Sequence, residues 1–341
     1  MKKVLVTGGG GFIGSHLCVA LVQHGFEPVV VDNFCASDRR ILQRAQQIAG
    51  RDFAVHELDC RDGARLRALL RSEGELFGVI HLAAHKSVGV SVQQPREYYD
   101  NNIGSLVSLL AAMDAANVQR IVFSSSCTVY GQPKQVPVTE ESPIGRAESP
   151  YGRTKQMCEA LLNDVVASGA PLASVTLRYF NPVGAHPSGL IGELPIGKPE
   201  TLVPYITQTA VGLRDELTVF GSDYPTRDGT CVRDYLHIVD LTVAHVAALT
   251  WLEGRPAGRC NEVFNLGTGA GVSVLEAIRA FEQASGVALR YRLGARRPGD
   301  TAEVYANAVK AERELGWKAR LGVVDAMRDA WRWQLTLRRG L

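Results

Sequence analysis

The feature that most constrains the fold is a regular alternation along the first two-thirds of this 341-residue chain. Short apolar runs rich in β-branched residues alternate with longer amphipathic stretches, which is typical of a parallel sheet covered by helices on both faces. The predicted strands are 4–6, 28–31, 53–57, 78–81, 121–123 and 174–178, and the predicted helices begin at Gly14, near Arg61, at Arg96 and at Tyr151. We therefore expect a doubly wound parallel α/β sheet whose ligands bind beyond the carboxyl ends of its strands.

Composition and charge exclude several classes of protein. With 46% hydrophobic and 21% charged residues, the chain is too apolar to be disordered. Its 37 basic and 35 acidic residues give a net charge of +2, so neither nucleic acid nor an anionic membrane is an expected partner. In the sequence no apolar stretch approaches the roughly 18 residues of a membrane span.

The cysteine pattern indicates the compartment. The 7 cysteines, at positions 18, 35, 60, 127, 158, 231 and 260, form no C-x-x-C pair in the sequence. An odd number of dispersed thiols is typical of a reducing environment, without structural disulfides or a metal site. Residues 1–7 run straight into Gly8 and are expected to form a buried strand rather than a leader peptide. The sequence therefore predicts a cytoplasmic protein.

A glycine run follows the first predicted strand and precedes a helix-forming segment. Gly8, Gly11 and Gly14 are spaced G-x-x-G-x-x-G, which lets the backbone turn tightly and approach a pyrophosphate at the helix N-terminus. Asp32 ends the second predicted strand, where a carboxylate can accept both ribose hydroxyls and repels a 2′-phosphate. Asp59 is expected to end the third strand and to accept a hydrogen bond from the adenine amino group. Together these residues predict NAD, rather than NADP, as the cofactor.

Tyr151 and Lys155 lie four residues apart, so they share one face of the helix that begins there. A tyrosine that acts as a base at pH 7 needs its phenolate stabilised by about 4 kcal/mol. One cation about 4 Å away in a partly desolvated site supplies a similar amount, and Lys155 is placed to be that cation. Ser124, Ser125 and Ser126 directly follow the apolar run 121–123, so Ser126 is expected at the carboxyl edge of the sheet. These side chains predict removal of a proton from a sugar hydroxyl while a hydride leaves the same carbon.

The composition of the sequence changes after Asn181. Residues 182–199 are rich in glycine and proline with apolar residues between them, and a long irregular segment of this kind is typically functional. Residues 263–266 are expected to form a strand that rejoins the sheet. We predict an NAD-binding Rossmann domain from residues 1–181, with returning segments near 232–253 and 262–268. Residues 182–231 and 269–341 are predicted to form a smaller C-terminal cap domain that binds the substrate.

Ser126, Tyr151 and Lys155 behind a glycine fingerprint resemble the active site of the short-chain dehydrogenase/reductase superfamily. Within its extended branch, the chain resembles the UDP-glucose 4-epimerase family nearly from end to end. The matching segments are 6–16, 31–33, 81–86, 98–102, 124–131, 178–182, 184–189, 220–224, 228–235 and 296–300. The last three, such as Asp228-Gly-Thr-Cys-Val-Arg-Asp-Tyr235, belong to the sugar-nucleotide side and are far more specific than the glycines.

The resemblance implies a reversible 4-epimerisation of UDP-hexoses by an isomerase of carbohydrate metabolism, for example galactose metabolism. Tyr151 would remove the proton of the sugar 4-hydroxyl while NAD⁺ takes the hydride from that carbon. The 4-ketose would then turn over and receive the hydride on its other face. Ser126 would hydrogen-bond the reacting oxygen, and Lys155 would lower the phenol pKa and bind the nicotinamide ribose. Because NAD is regenerated in every cycle, it is expected to stay tightly bound.

The resemblance also assigns the binding residues. Those expected at the cofactor are Gly8, Gly11, Phe12, Ile13, Gly14, Asp32, Asn33, Asp59, Cys60, Leu82, Ala83, Lys86, Asn101, Tyr151, Lys155 and Phe180. Those expected at the UDP-sugar are Ser126, Thr128, Asn181, Thr201, Leu202, Phe220, Arg233, Arg297, Asp300 and Val304. A homodimer through a four-helix bundle is implied as well. The sequence itself shows only amphipathic helices, whose apolar stripes packing on the sheet explains equally well.

Two positions depart from the family pattern. An asparagine that touches the diphosphate is usual where this chain has Thr201, whose hydroxyl can donate one hydrogen bond but reaches less far. Family members restricted to plain hexoses carry a tyrosine where this chain has Val304. Valine leaves room for an acetamido group, unless a neighbour such as Tyr305 fills the space. The sequence therefore predicts turnover of UDP-GlcNAc and UDP-GalNAc in addition to UDP-glucose and UDP-galactose.

Other activities on the same fold stay open. Nucleotide-sugar 4,6-dehydratases need an acid and a base just before the Val-Tyr-Gly segment, where this chain has Cys127 and Thr128. Neither can shuttle those protons, so dehydration is not expected. An NAD(P)-dependent nucleotide-sugar reductase would suit the same three catalytic residues. A redox-sensing binding protein is a further alternative, although such proteins tend to lose the tyrosine or the lysine.

Overall fold

The computed structural model describes residues 1–256, 260–297 and 299–340, and this chain divides into two compact units. The first unit comprises residues 1–131, 143–178 and 242–264. The second comprises residues 132–142, 179–241 and 265–341. Both units are therefore assembled from segments that are distant along the chain.

A 7-stranded sheet forms the centre of the first unit. Its strands are β1 (Lys2–Thr7), β2 (Phe26–Asp32), β3 (Ala54–Glu57), β4 (Leu76–His81), β5 (Arg120–Ser124), β6 (Ala173–Tyr179) and β11 (Cys260–Leu266). Their order is β11-β6-β5-β4-β1-β2-β3, and each neighbouring pair from β6 to β3 is parallel. This is the doubly wound parallel sheet that the sequence predicts, with 263–266 as part of its edge strand. One boundary was wrong: β3 ends at Glu57, so Asp59 lies two residues beyond the strand.

Helices connect these strands. They are α1 (Phe12–Gln23), α2 (Arg39–Ala49), α3 (Gly63–Ser72), α4 (Val88–Gln93), α5 (Pro95–Ala115), α6 (Pro150–Ala167) and α8 (Ile238–Glu253). A short 3-10 turn, Cys127–Tyr130, follows β5. Helix α2 was not predicted from the sequence, because only Ile41, Leu42 and Ala45 of its 11 residues are buried and most of its other residues are polar. Its first two arginines are largely exposed, as expected for a solvated pair.

The core of the first unit lies between the sheet and the helices α3, α5 and α6. Leu5, Val79 and Ile121 on the strands pack against Leu66 of α3 and Leu109 of α5, and all five are fully buried. β-branched and aliphatic side chains suit a pleated surface that is covered by helices. Close packing holds the carboxyl ends of β1, β4 and β5 in fixed positions. Every residue that follows one of these strands is thereby placed at the same edge.

In its described residues, the second unit contains three small sheets and four complete helices. In two of the sheets, β10 (Tyr235–His237) pairs with β7 (Asn181–Val183) and β13 (Tyr291–Gly294) pairs with β8 (Leu217–Phe220). The third sheet has the order β12 (Val272–Ser273), β9 (Val232–Arg233) and β14 (Glu303–Val304). The helices are α7 (Leu202–Ala210), α9 (Val274–Ser285), α10 (Val309–Leu315) and α11 (Val323–Arg338). Ile278 and Phe281 of α9 and Met327 of α11 are central to its core. Across the described ranges, no helix combines the length and the apolar character that crossing a membrane requires.

Candidate active site

The glycine turn between β1 and α1 satisfies three different constraints. Gly8 has a φ of 72°, a left-handed conformation that residues with side chains rarely adopt. A Cβ on Gly14 would lie 2.3 Å from the Gly8 carbonyl oxygen, so α1 can approach the turn only because Gly14 has no side chain. At Gly11 the nearest described atom to such a Cβ is the same oxygen, at 3.4 Å, which is an ordinary contact. Gly11 therefore borders an open backbone surface.

This surface faces the N-terminus of α1. Gly11 is the N-cap of the helix, and within the described residues no side chain caps it and no acidic residue occupies the first turn. The first-turn N–H groups, including those of Phe12 and Ile13, are donors that an anion can satisfy. The segment after β4 crosses the turn closely, since a Cβ on Gly8 would lie 2.8 Å from the amide nitrogen of Ala83. The amide of the neighbouring Leu82 donates to the Thr7 carbonyl at 3.1 Å.

Asp32, at the end of β2, ties the glycine turn to the next loop. Its Oδ2 accepts from the amide of Gly10 at 2.8 Å. Its Oδ1 accepts from the amide of Phe34 at 2.8 Å and from the Ser37 hydroxyl at 2.9 Å. Phe34 has a φ of 56°, a strained conformation for an aromatic residue, and this conformation aims its amide at the carboxylate. The orientation of the Asp32 carboxylate is therefore fixed before any ligand arrives.

Asp59 lies beyond β3 and beside Asn33. The Asn33 amide donates to Asp59 Oδ2 at 3.1 Å. Hydrogen bonds from Arg61 and from the Asn33 amide lower the pKa of Asp59 to about 2, so this carboxyl group is an anion that can only accept. The adjacent Cys60 is different, because burial raises the pKa of its thiol to about 12 and keeps it neutral. These groups form a polar edge beyond β2 and β3.

Asn101 lies on α5, and Lys86 lies on the segment after β4. Asn101 is buried, and its amide donates to Asn102 Oδ1 at 3.0 Å. Asn102 was missed as a site residue, although it occupies one of the segments that resembles the family. It accepts from the amide of His85 at 2.8 Å and donates to the His85 carbonyl and to Thr154 of α6. Asn102 thereby holds the segment that carries Lys86 between α5 and α6.

Ser126, Tyr151 and Lys155 are all in the first unit and all buried, with 7%, 8% and 4% of their surface exposed. The Ser149 hydroxyl caps α6 by accepting from the amide of Gly152 at 3.1 Å. This places Tyr151 and Lys155 in the first two turns of the helix, where the Lys155 Nζ lies 6.0 Å from the tyrosine ring centroid. The structure thus brings together the pair that the four-residue spacing predicts.

The ammonium of Lys155 is held by the backbone. Its Nζ donates to the Ser124 carbonyl at 2.6 Å and lies 4.9 Å from the Phe123 ring centroid. Burial lowers the pKa of Lys155 to about 8, against the opposing influence of Cys158 and Glu159. Burial, together with the nearby Lys155, also lowers the pKa of His81 to about 3, so His81 carries no charge at neutral pH. Lys155 is therefore a desolvated cation close to its titration point.

The three consecutive serines at the carboxyl end of β5 have three different partners. Ser124 shares a hydrogen bond of 3.0 Å with His245 of α8, and the Ser125 hydroxyl donates to Glu159 of α6 at 2.5 Å. The Ser126 hydroxyl accepts from the amide of Thr128 at 3.3 Å. Thr128 Oγ1 is buried and has no hydrogen-bond partner in the described chain. Ser126 and Thr128 therefore present the hydroxyls at this edge that are least used by the fold.

Two arginines and one carboxylate cluster in the second unit. Arg297 donates to both oxygens of Asp300, at 3.1 and 2.8 Å, and Arg233 Nη2 lies 3.7 Å from the same carboxylate. Arg233 is oriented by the carbonyls of Val232 and Thr301, which accept from its Nη1. The Phe220 ring is 46% exposed, and the Arg297 guanidinium lies 6.0 Å from its centroid. The group combines an aromatic face with two cations, which suits a base and phosphates.

Val304 is directly paired with Arg233. The two residues are register partners of the parallel strands β14 and β9, so their side chains project from the same face. The backbone here is fixed by Asp234, a buried carboxylate that accepts from Thr268, Gly269 and Ala306. A Cβ on Gly267 would lie 2.3 Å from this carboxylate. Asp234 was not predicted as a site residue, because its partners are distant along the chain.

The remaining predicted residues are also in the second unit. The Thr201 hydroxyl donates to both oxygens of Glu193 at 3.2 Å, so in this structure it is engaged by a carboxylate. Leu202 follows it as the first residue of α7. The amide of Phe180 donates to the Leu266 carbonyl at 3.2 Å, and that of Asn181 to the Asp234 carbonyl at 2.9 Å.

The chain has a doubly wound sheet with a glycine turn after β1, and Ser126, Tyr151 and Lys155 lie at the carboxyl edge of that sheet. These features define a Rossmann-fold protein of the short-chain dehydrogenase/reductase type. Residues 5–330 match the family model described as GDP-mannose 4,6 dehydratase.

Relatives define the group more narrowly. The chain is 51% identical over 335 residues to UDP-glucose 4-epimerase 2 of Arabidopsis thaliana, covering 97% of this chain and 95% of that protein. It is 48% identical over 331 residues to UDP-glucose 4-epimerase of Bacillus subtilis, covering 97% and 96%. The chain thus belongs to the UDP-glucose 4-epimerase family.

Solved structures agree with this assignment. A UDP-glucose 4-epimerase from Stenotrophomonas maltophila, crystallised with bound NAD and formylated UDP-arabinopyranose, matches with a TM-score of 0.96 and 50% identity over 100% of both chains. The enzyme from Bifidobacterium longum, in complex with NAD⁺ and UDP, matches with a TM-score of 0.95 and 47% identity, again over 100% of both.

Proposed function

We propose that this chain is an isomerase that interconverts UDP-glucose and UDP-galactose by reversible epimerisation at C4 of the hexose, using tightly bound NAD. The observation that carries the proposal is the buried Tyr151–Lys155 pair at the carboxyl edge of a sheet whose glycine turn leaves the backbone at Gly11 open. Membership of the UDP-glucose 4-epimerase family supports it.

The residues of the first unit fit NAD. The open backbone at Gly11 and the N-terminus of α1 suit the pyrophosphate, and the fixed Asp32 carboxylate suits a ribose diol while repelling a 2′-phosphate. Asp59 with Asn33 offers acceptors to the adenine, and Leu82 and Ala83 border the glycine turn. Lys86, on the segment after β4, and Asn101 of α5 are proposed to contact the cofactor as well. When bound, NAD supplies the acceptor that takes a hydride from C4 and returns it.

Tyr151 acts as the base and later as the acid. Its phenolate takes the proton of the 4-hydroxyl as C4 is oxidised, and its phenol returns that proton when C4 is reduced. The Lys155 ammonium, held by the Ser124 carbonyl in a water-poor site, stabilises the phenolate and offers its other N–H groups to a ribose. Ser126 and the partnerless hydroxyl of Thr128 hydrogen-bond the reacting oxygen and the sugar. Neither Cys127 nor Thr128 supplies the acid–base pair that dehydration would need.

The second unit is proposed to bind the nucleotide. Arg233 and Arg297 suit the diphosphate, Phe220 the uracil and Asp300 the uridine ribose. Asn181, Thr201 and Leu202 are proposed to complete the diphosphate and sugar contacts. Cofactor binding is thus assigned mainly to the first unit and nucleotide binding mainly to the second unit.

Val304 is proposed to widen the range of substrates. It shares a strand face with Arg233 and is small, which supports room for an acetamido group and turnover of UDP-GlcNAc and UDP-GalNAc. We further propose a cytoplasmic homodimer formed through α5 and α6, which pack together. Val107 of α5 and Met157 of α6 support this assembly, because each exposes about half of an apolar side chain.

The test is to incubate the purified protein with UDP-galactose, without added NAD, and to follow the sugar anomeric protons by NMR. UDP-glucose should appear and reach a steady ratio, and Tyr151→Phe should abolish the conversion. No conversion, even after NAD is supplied, contradicts the proposal and favours another nucleotide sugar, a reductase or a redox sensor.

A matched pair of glycine variants tests the cofactor site separately. Gly11→Ala should fold normally and purify without NAD, because its Cβ occupies the open surface but meets no close neighbour. Gly14→Ala should lower the unfolding temperature, because its Cβ collides with backbone. NAD released by heat and measured by chromatography, with thermal unfolding, distinguishes the two. A reductase or sensor would instead hold NAD(P) loosely in the parent protein.

A further inference from the structure

Three side chains of helix α6 bind the carboxyl end of β5 and the segment that follows it. Lys155 Nζ donates to the Ser124 carbonyl at 2.6 Å. Gln156 Nε2 donates to the Val129 carbonyl at 2.8 Å and to the Gly145 carbonyl at 2.7 Å. One turn further along α6, Glu159 accepts from the Ser125 hydroxyl at 2.5 Å. The segment that carries Ser126 is thereby attached to the helix that carries Tyr151.

The Glu159 contact is reinforced by a buried arginine. Arg178 of β6 donates from Nε to Glu159 Oε1 at 3.0 Å and from Nη2 to Oε2 at 2.7 Å. Its Nη1 donates to the Tyr130 hydroxyl at 3.1 Å, and its guanidinium lies 5.0 Å from that ring centroid. Both charged side chains are at least nine-tenths buried, and Ser125 and Tyr130 are almost completely buried.

A buried ion pair is a weak source of stability, because desolvation offsets most of the attraction. What the arrangement supplies is geometry: a two-pronged guanidinium holds the carboxylate in one orientation, and the carboxylate holds one hydroxyl. The hydroxyl belongs to Ser125, the residue immediately before Ser126. The amide of Ser125 is fixed as well, since it donates to the Leu177 carbonyl of β6 at 2.9 Å.

We propose that Glu159, held by Arg178 and bonded to Ser125, is a positioning residue that sets where Ser126 lies relative to Tyr151 and Lys155. This inference rests on the proposed function. Glu159 and Arg178 touch neither sugar nor cofactor in this proposal; they act through the serine turn and through the effect of the Glu159 charge on Lys155.

Glu159 also lies one helical turn from Lys155. The groups that face the Lys155 ammonium are Cys158 and Glu159 on its own helix, Tyr151 one turn back, and the neutral His81 of β4. Glu159 is therefore the carboxylate in this group, and its charge favours the protonated lysine. Removing that charge while keeping the shape of the side chain should make Lys155 lose its proton at lower pH.

Three variants test the proposal. Ser125→Ala removes the hydroxyl and leaves every charge in place, whereas Glu159→Gln removes the charge and nearly keeps the shape. Ser174→Ala is the matched control, because Ser174 is a buried serine of β6 whose hydroxyl donates to Asn261, at the other end of the sheet. Thermal unfolding verifies that each variant is folded.

For Ser125→Ala we expect kcat with UDP-galactose to fall about tenfold, because a small misplacement of a catalytic group is costly. Its KM and the pH dependence of kcat should stay close to those of the parent, and Ser174→Ala should match the parent in all three. For Glu159→Gln the alkaline limb of the kcat profile should move to lower pH. The Lys155 titration should move likewise, when followed by the ¹³Cε resonance that Lys155→Met lacks.

Two results overturn the proposal: a Ser125→Ala enzyme whose kcat equals that of Ser174→Ala, or a Lys155 titration that Glu159→Gln leaves in place. A parent protein that does not convert UDP-galactose contradicts the proposed function instead. In that event the Lys155 titration, which needs no substrate, still decides whether Glu159 acts on the catalytic pair.

Discussion

The catalytic edge of the first unit and the arginine cluster of the second unit are built in opposite ways. Ser126, Tyr151 and Lys155 are each less than a tenth exposed and are anchored by helix caps, backbone carbonyls and neighbouring side chains. The side chain of Arg297 is 56% exposed, and Phe220 is nearly half exposed. The first region has its geometry before any ligand binds, whereas the second keeps polar groups available to one.

This difference predicts which region controls the rate of the chemical step and which controls substrate binding. A preorganised, water-poor site stabilises charge as the reaction proceeds, so changes there should lower kcat. The exposed members of the cluster, Arg297 and Phe220, gain contacts when the ligand arrives, so changes there should raise KM with little effect on kcat. Variants of the two regions test this distinction.

The largest effect is expected for Lys155→Met. The phenolate of Tyr151 loses its cation, so kcat should fall by about a thousandfold, within the usual range for a group in acid–base catalysis. KM for UDP-galactose should change little, because the lysine is buried beneath the site. Stopped-time NMR assays of UDP-galactose conversion give both values. A loss smaller than about tenfold would show that Tyr151 is activated by something other than Lys155.

Next in size is the effect of Val304→Tyr on acetylated substrates. A tyrosine there should exclude the acetamido group and lower UDP-GalNAc turnover by about a hundredfold, because a clash is an effective means of discrimination. UDP-galactose turnover should stay within about threefold. Rates with both substrates, measured on the parent and the variant, provide the comparison. If the parent already rejects UDP-GalNAc, neighbours such as Tyr305 fill the space beside Val304.

The pH dependence should distinguish activity from stability. Lys155 has a pKa of about 8, so turnover should fall as pH rises above 8 and the ammonium loses its proton. Stability should respond with the opposite sign. In the unfolded chain a lysine titrates near 10.4. Between pH 8 and that value, the unfolded state therefore binds more protons than the folded state. The contribution of Lys155 to the free energy of unfolding consequently rises with pH in this range. Profiles of kcat and urea unfolding from pH 7 to 10 measure both. Parallel losses of activity and stability would contradict the assignment.

The smallest effect is expected for Arg297→Met. Its guanidinium is paired with Asp300 and more than half exposed, so losing it should raise KM for UDP-galactose by only about fivefold. The increase should shrink at high salt, which already screens an exposed charge, and kcat should be unchanged. Initial rates at low and high ionic strength give the comparison. A large loss of kcat would mean that the arginine cluster takes part in orienting the reacting sugar.

Local patterns in the sequence predicted the strands of the first unit and the closeness of Tyr151 to Lys155. The glycine spacing, the apolar runs and the separation of Tyr151 from Lys155 are all properties of neighbouring residues, and the strands β1 to β6 followed from them. The support beneath the catalytic edge was not predictable in this way. Glu159 and Arg178 are 19 residues apart on different elements, and only the packed sheet brings them together.

The second unit was harder to predict for a related reason. Its strands β9 and β14 have two residues each, too short for any hydrophobic period to show. They pair across some 70 residues, and Asp234 joins them through donors that also come from distant segments. The family resemblance named Arg233 and Val304, but only the register of the two strands relates one side chain to the other.

The first unit is not continuous along the chain, and this has a consequence for biosynthesis. Its last segment, residues 242–264, supplies the edge strand β11 and most of α8, including the His245 that shares a hydrogen bond with Ser124. A ribosome adds about 5–20 residues per second. Several seconds therefore pass between the synthesis of β6 and that of its neighbour β11, while residues 179–241 emerge. During that interval β6 is an uncovered sheet edge, which is the kind of surface that chaperones protect. The nascent chain therefore completes its catalytic edge only after most of the protein has been made.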